Sequence, residues 1–133
     1  MRSLLPIAAS ALLLTAGAFA DATKVTLTGA EEVPEVTTKA IGIGTIAINP
    51  DGSVSGSITT KDIAGVAAHI HLGSKGKNGP PVITLTRTGE NVWSVPAGSK
   101  LTDEQYASYK AGDLYVNVHS AEHKSGEIRA QLR

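Results

Sequence analysis

The sequence predicts one small all-β domain of antiparallel strands with a single short crossover helix. Three observations favour this fold class. Short runs of alternating apolar and polar residues fill most of the chain, clusters rich in Gly, Pro, Asn and Asp separate them, and only one segment carries helix signals. The chain has no cysteine, so burial and sheet hydrogen bonds must hold the fold, and thiol catalysis and thiolate metal sites are excluded.

The first twenty residues predict export. A basic residue near the start precedes an apolar run over 4–14, and the small-residue sequence Ala18-Phe19-Ala20 precedes Asp21. This pattern is typical of a Sec signal peptide, and the apolar run is short for a membrane span, with an uncleaved anchor as the less favoured alternative. We expect a signal peptide over 1–20 and a secreted or periplasmic domain over 21–133 that has no membrane partner after cleavage.

The mature domain is nearly neutral in charge. The whole chain has 12 basic and 12 acidic residues, and the predicted signal peptide removes one basic residue, which leaves 11 against 12 and a net charge of −1 with histidine neutral. This balance argues against a nucleic-acid partner and against electrostatic membrane attachment. The remaining 113 of 133 residues are enough for one hydrophobic core.

The strand segments are predicted to follow one another as a meander. The turn Asn49-Pro50-Asp51-Gly52 joins two of them into a hairpin over 41–60, because proline presets one backbone dihedral and glycine tolerates a positive one. The predicted strands are Lys24–Thr28, Ile41–Ile48, Ser53–Thr60, Val66–Leu72, Pro81–Arg87, Asn91–Val95, Leu114–His119 and Glu127–Leu132.

One helix interrupts the strands, over about 103–110. Thr102 and Gln105 form the pattern of a capping box, in which each side chain satisfies a backbone amide of the other. Gly112 stands where a left-handed residue would end the helix. We interpret this helix as a structural crossover.

All four histidines fall in two places, His69 with His71 and His119 with His123. Side chains alternate along a strand, so His69 and His71 share one face while Ile70 takes the other face toward the core. The same alternation puts His119 on the face of its strand that points away from the core. Both histidine sets are therefore expected on outer faces.

Imidazoles at i and i+2, joined by others from a second strand, are the donors that copper(II), zinc(II) or nickel(II) prefers. Alternation also puts three polar residues of the last two strands on the same outer surface, where they could orient the imidazoles. If the two histidine strands are neighbours, the sequence predicts a metal site. The predicted ligands are His69, His71 and His119, with His123 as a fourth candidate, and the predicted orienting residues are Asn117, Glu127 and Arg129.

Other segments favour structural roles. The glycine-rich basic segment Ser74–Gly79 lacks the spacing and following helix of a phosphate-binding loop and is predicted to be a solvated turn. Glu31 and Glu32 could reach a metal, but an exposed sheet edge is the preferred interpretation. Trp93 is expected in the core or as an anchor on a strand face.

Several segments resemble the CHRD domain family. They cover nearly all of the predicted mature chain, with departures at Glu35 and at His123-Lys124-Ser125. The resemblance implies a β-sandwich or barrel of immunoglobulin-like type. The matching segments are Leu27–Pro34, His69–Gly73, Gly79–Val82, Leu114–Ser120 and Gly126–Gln131.

The His69-Ile70-His71 segment is also similar to the histidine pair of copper-zinc superoxide dismutases, which use a β-barrel of comparable size. The present chain lacks that family's cysteine pair and has too few histidines for its two-metal set. The favoured function is an exported module that binds a divalent transition metal, copper first and zinc second. The alternatives are an extracellular domain that binds another protein or has a structural role without metal, and, less favoured, a copper-dependent dismutase-like enzyme.

Overall fold

A computed structural model describes residues 21–133, within which the chain forms a nine-stranded antiparallel sheet and one α-helix. The predicted signal peptide lies outside these residues. The elements are β1 (Asp21–Thr28), β2 (Ile41–Ile48), β3 (Val54–Lys61), β4 (Gly65–Leu72), β5 (Pro81–Thr84), β6 (Thr86–Gly89), β7 (Val92–Ser94), α1 (Asp103–Lys110), β8 (Leu114–Ser120) and β9 (Ile128–Leu132).

The sheet curves into a nearly closed barrel, with strand order β5-β4-β8-β9-β1-β2-β3-β7-β6. The two edge strands, β5 and β6, follow one another in sequence with only Leu85 between them. Leu85 is buried and its amide donates to Ala68 O at 2.9 Å. The prediction of one strand over Pro81–Arg87 was therefore wrong, because the chain bends inward at Leu85 and passes from one edge to the other. The all-β antiparallel fold with one short helix is confirmed.

The predicted meander was also wrong in its middle part. β3 pairs with β2 and β7, whereas β4 pairs with β8 and β5. The chain leaves β3 at Lys61 and turns through Asp62, which has a φ of 61°. Alternation of residue types predicts which face of a strand is buried and says little about which strand lies beside it. The consequence is that β4 and β8, which carry three of the four histidines, are hydrogen-bonded neighbours.

The core lies inside the barrel and is filled by the apolar residues of the alternating strands. Ile58, Ile70 and Val116 are fully buried, and Trp93 joins them as predicted. Each such side chain contributes roughly 1.5–3 kcal/mol of burial free energy. The predicted inward faces of β4 and β8 are thereby confirmed.

The helix cap and the β2–β3 turn form as the sequence predicts. Thr102 and Gln105 make both hydrogen bonds of the capping box at the start of α1, and Gly112 follows the helix with a φ of 84°. In the β2–β3 turn, Gly52 has a φ of 90° and Asp51 accepts from the Ser53 amide. No helix within residues 21–133 combines the length and apolar character needed to cross a membrane.

Candidate metal centre

The register of β4 and β8 brings the histidines together. His69 stands opposite Asn117, His71 opposite Tyr115, and His119 opposite Ala67. Because opposite residues of an antiparallel pair share a face, the three imidazoles occupy one face of two adjacent strands. The adjacency on which the predicted metal site depended is therefore present.

The three imidazoles converge. One ring nitrogen from each of His69, His71 and His119 lies within 4.8 Å of the others, and His69 Nδ1 lies 3.0 Å from His119 Nε2. A tetrahedral ion with metal–nitrogen bonds of 2.0–2.1 Å needs ligand nitrogens about 3.3 Å apart. Small side-chain adjustments are enough to reach that spacing, so the residues fit a transition-metal ion.

Backbone carbonyls fix the tautomers of two rings. His71 Nδ1 lies 2.9 Å from Gly79 O, and His119 Nδ1 lies 2.8 Å from Lys124 O. A carbonyl oxygen only accepts, so each Nδ1 must carry the hydrogen and each Nε2 keeps its lone pair. His119 Nε2 then accepts from His69 Nδ1. His71 Nε2 is buried and has no hydrogen-bond partner among residues 21–133.

Burial favours the neutral form of the His69 and His71 rings. It is the largest cause that lowers the pKa of His69, followed by the charges of His119 and His71. It also lowers the pKa of His71, partly offset by the hydrogen bond to Gly79. A neutral imidazole is the form that binds a metal ion, because protonation removes the lone pair.

The face that carries the histidines is covered, although it points away from the core. All seven residues of β8 are buried, on both faces of the strand. The expectation that the polar residues lie on an exposed outer surface was therefore wrong. Three loops, over 29–40, 73–80 and 121–127, fold over the sheet and hydrogen-bond to its polar side chains. The sheet thus has a second, polar interior layer beside the apolar core.

Arg129 holds one of these loops in place. Its side chain is only 1% exposed, and its guanidinium donates to Lys77 O at 2.8 Å, to Asn78 Oδ1 at 3.1 Å and to Ser74 O at 3.3 Å. The predicted solvated turn over Ser74–Gly79 therefore presents its carbonyls inward while Lys75 and Lys77 remain exposed.

A stacked column links Arg129 to the histidines. The Arg129 guanidinium lies 3.4 Å from the Tyr115 ring centroid, and the Tyr115 ring is parallel to the His71 ring at 4.7 Å. The Tyr115 hydroxyl accepts from the Gly79 amide at 3.1 Å. The carbonyl of the same residue accepts the hydrogen bond from His71 Nδ1. Arg129 therefore acts on His71 through Tyr115 and the loop, and makes no direct hydrogen bond to a ring.

Glu127 and Asn117 also lie in the polar layer. Glu127 accepts from the Thr38 and Ser120 hydroxyls, both at 2.6 Å, and not from an imidazole. Asn117 Nδ2 donates to Glu32 Oε2 at 3.4 Å, so Glu32 reaches the neighbourhood of the site. The N–H groups of His71 and His119 donate instead to the backbone carbonyls of Gly79 and Lys124. Sequence reasoning did not identify these acceptors.

The preference for Glu32 on an exposed edge was wrong. Glu32 is 5% exposed, and burial raises its pKa to about 7, although the Asn117 hydrogen bond and the charge of Arg129 act in the opposite direction. The 3-10 turn Gly29–Glu31 turns the chain inward just before it. A pair of adjacent glutamates carries no signal that distinguishes the buried member from the exposed one.

His123 lies in the loop between β8 and β9. Its backbone oxygen accepts from the amides of Ser120 and Gly126, which shapes the loop. Its ring is not one of the three that converge within residues 21–133. The loop instead contributes its Lys124 carbonyl to the site.

The CHRD domain family model matches residues 23–132, which is nearly the whole of the described chain. Comparisons with curated proteins and with solved structures found no match. The matched range includes every strand that positions the three imidazoles, together with the loops that cover them. The chain therefore belongs to the CHRD domain family.

Proposed function

We propose that the domain is an exported binding module that coordinates a divalent transition metal through His69, His71 and His119. The observation that carries this proposal is the convergence of three imidazole nitrogens from two adjacent strands within 4.8 Å of one another. Export is inferred from the signal-peptide pattern of residues 1–20, and membership of the CHRD family agrees with an extracellular location.

The donor chemistry supports copper(II) first and zinc(II) second. The ligand set contains neutral nitrogens and no thiolate, which suits borderline divalent ions. For a given set of nitrogen ligands, affinity among first-row divalent ions peaks at copper(II). The two Nδ1–H groups held by Gly79 O and Lys124 O orient the rings before an ion arrives, so little side-chain order has to be gained on binding.

The unpaired Nε2 atom of His71 also supports a metal site. Buried polar atoms in native proteins nearly always have a partner. His71 Nε2 has none in the described part of the chain, and it lies among the other imidazoles. A bound ion would satisfy it.

The proposal is tested by calorimetric titration of the chelator-stripped domain with copper(II) and zinc(II). We expect about one ion per chain and a loss of at least about tenfold in affinity in His69→Ala and in His119→Ala. His123→Ala is the matched control, because it removes a histidine from the loop between β8 and β9 that lies outside the convergent group. It also tests the predicted role of His123 as a fourth ligand.

Equal binding in all three variants and the wild type would overturn the proposal. So would a wild-type affinity no higher than that of an exposed histidine pair. Either result would favour the alternative of an extracellular protein-interaction domain, in which the histidines only hydrogen-bond within the polar layer.

A further inference from the structure

Asn117 is at the centre of the polar layer. It stands opposite His69 on β4 and opposite Arg129 on β9, and His119 is two residues further along the same face of β8. Its side chain is 2% exposed. Asn117 therefore lies on the same face of the sheet as the three imidazoles.

The orientation of its carboxamide is determined by its donors. Nδ2 donates to Glu32 Oε2 at 3.4 Å and to Ser125 O at 3.3 Å. The Ser125 carbonyl only accepts, so the nitrogen faces this side and the oxygen faces the other. Gly126 packs against the pair so closely that a Cβ at that position would clash with both Asn117 Nδ2 and Glu32 Oε2.

The oxygen left by this arrangement is buried and unpaired. Asn117 Oδ1 finds no hydrogen-bond partner anywhere in residues 21–133, and the one other buried side-chain atom in that state is His71 Nε2. Both atoms carry lone pairs, and neither has a hydrogen to give to the other while His71 is neutral. A protonated His71 could donate to Asn117, and this hydrogen bond raises the pKa of His71, but burial lowers it by more. With His71 neutral, two buried acceptors on one face have no donor between them, and a cation or a donor molecule from outside the chain would satisfy them.

We propose that Asn117 Oδ1 is the fourth ligand of the metal ion, completing a set of three imidazole nitrogens and one amide oxygen. This inference rests on the proposed function. It assigns the fourth position to a residue of β8 rather than to His123, and it assigns to Glu32 and Ser125 the role of positioning the carboxamide. An ion held by this set would satisfy both unpaired atoms, His71 Nε2 and Asn117 Oδ1.

A fourth protein ligand changes what the site can do. Zinc sites with four protein ligands are closed and retain their ion, whereas catalytic zinc sites keep one position for water or substrate. A closed set of three nitrogens and one neutral oxygen favours retention of copper(II) or zinc(II) over turnover, and it disfavours copper(I), for which soft sulfur ligands are selective. The inference therefore argues for a metal-holding module rather than a dismutase-like enzyme.

The first measurement uses the unaltered domain. Zinc(II) is added to the 15N-labelled, chelator-stripped protein, and the side-chain NH2 resonances are followed. We expect the Asn117 pair, identified as the one missing from the Asn117→Ala spectrum, to shift up to one equivalent of zinc and then stop. The Asn91 side chain lies in the β6–β7 turn and is exposed, so its resonances should not move.

The second measurement compares zinc affinities by chelator competition. Asn117→Ala should lose at least about tenfold, Asn117→Asp should keep or gain affinity because it retains an oxygen donor and adds a charge, and Asn91→Ala should match the wild type. If Asn117→Ala does not fold, the wild-type resonances and Asn117→Asp still decide the question, with the resonances then assigned from Asn117→Asp.

The outcomes separate the two proposals. Wild type that binds no zinc defeats the proposed function and this inference together. Tight binding that is lost in His69→Ala and His119→Ala, with an unmoved Asn117 resonance and full affinity in Asn117→Ala, overturns the fourth ligand alone. That second result would mean that a water molecule satisfies Asn117 Oδ1.

Discussion

The outer face of β8 and the outer face of β2 differ sharply, although both strands alternate in the same way within one barrel. On β8 the outer residues are polar and buried beneath loops. On β2 the outer residues include Ile43, which is 57% exposed, and Ile41, which is 37% exposed. The burial of a strand face is therefore decided by the loops that cover it and not by the polarity of its residues. The chain covers the face on which it holds ionisable groups.

Replacement of Arg129 should cause the largest loss of stability. Arg129→Ala removes the donors that hold the carbonyls of the 73–80 loop and leaves those acceptors buried. We expect a loss of about 3–5 kcal/mol in the free energy of unfolding, measured with urea. Arg87→Ala is the matched control, because Arg87 is exposed and lies 5.5 Å from the Trp93 ring centroid. It should cost about 1 kcal/mol or less. Equal losses would show that the covered layer contributes no special stability.

Replacement of Gly126 should cause the next largest loss of stability. Its φ is 125°, and a Cβ there would meet Glu32 and Asn117. We expect Gly126→Ala to lower the free energy of unfolding by about 2–3 kcal/mol, from backbone strain and displaced side chains together. Gly98→Ala has a φ of 85° but nothing within 4 Å of the added Cβ, so it should cost only about 1 kcal/mol. A smaller loss in Gly126→Ala than in Gly98→Ala would contradict close packing at Asn117.

Glu32 should make stability depend on pH in a defined direction. Its pKa rises from 4.5 to about 7 on folding, so between these values the unfolded chain releases a proton that the folded chain keeps. Glu32 therefore costs stability as pH rises through this window, and the cost is complete above about pH 7. His69 and His71, with lowered pKa values, act oppositely: their contribution is present above about pH 6.5 and is lost as pH falls toward their folded pKa values.

The Glu32→Gln variant isolates the carboxyl. Its stability relative to wild type should increase from pH 4.5 to pH 7 and then stay constant, because glutamine does not titrate. Denaturation curves of both proteins with chelator present, taken at several pH values, measure this difference. A constant difference would show that Glu32 has the same pKa in both states.

The smallest effect is expected on β2. Ile43→Thr replaces an exposed residue with another β-branched one, so the free energy of unfolding should change by no more than about 0.5 kcal/mol. Ile46→Val, at a buried position of the same strand, should cost about 0.5–1.5 kcal/mol. A loss in Ile43→Thr as large as that in Ile46→Val would indicate that the outer face of β2 is covered.

Sequence reasoning succeeded where the determinants are local. The capping box of Thr102 and Gln105 and the inward face that contains Ile70 follow from spacing alone. The strand partners do not, because β4 pairs with β8 across a long stretch of sequence and alternation is the same for any neighbour. The site divides in the same way. Spacing predicted the face on which each of the three histidines lies, whereas their convergence depends on the pairing of β4 with β8.

The covering loops were the part that sequence reasoning missed. The burial of Glu32 depends on how the 29–40 loop folds back, and its neighbour Glu31 has the same side chain and remains exposed. The acceptors of His71 and His119 are backbone atoms, so residue type gives no indication of them. Contacts that depend on the path of a loop backbone become visible only in the folded chain.

The near closure of the barrel at Leu85 affects the tendency of the protein to aggregate. A free sheet edge is a template for pairing with another chain, and a long flat edge promotes aggregation. Here the two edges are four residues each and lie on either side of a single buried leucine. A chain without cysteine cannot rely on disulfide bonds to keep transiently opened molecules from associating. Two short edge strands expose few unpaired backbone groups with which another chain could form a sheet. This favours a monomeric protein at high concentration.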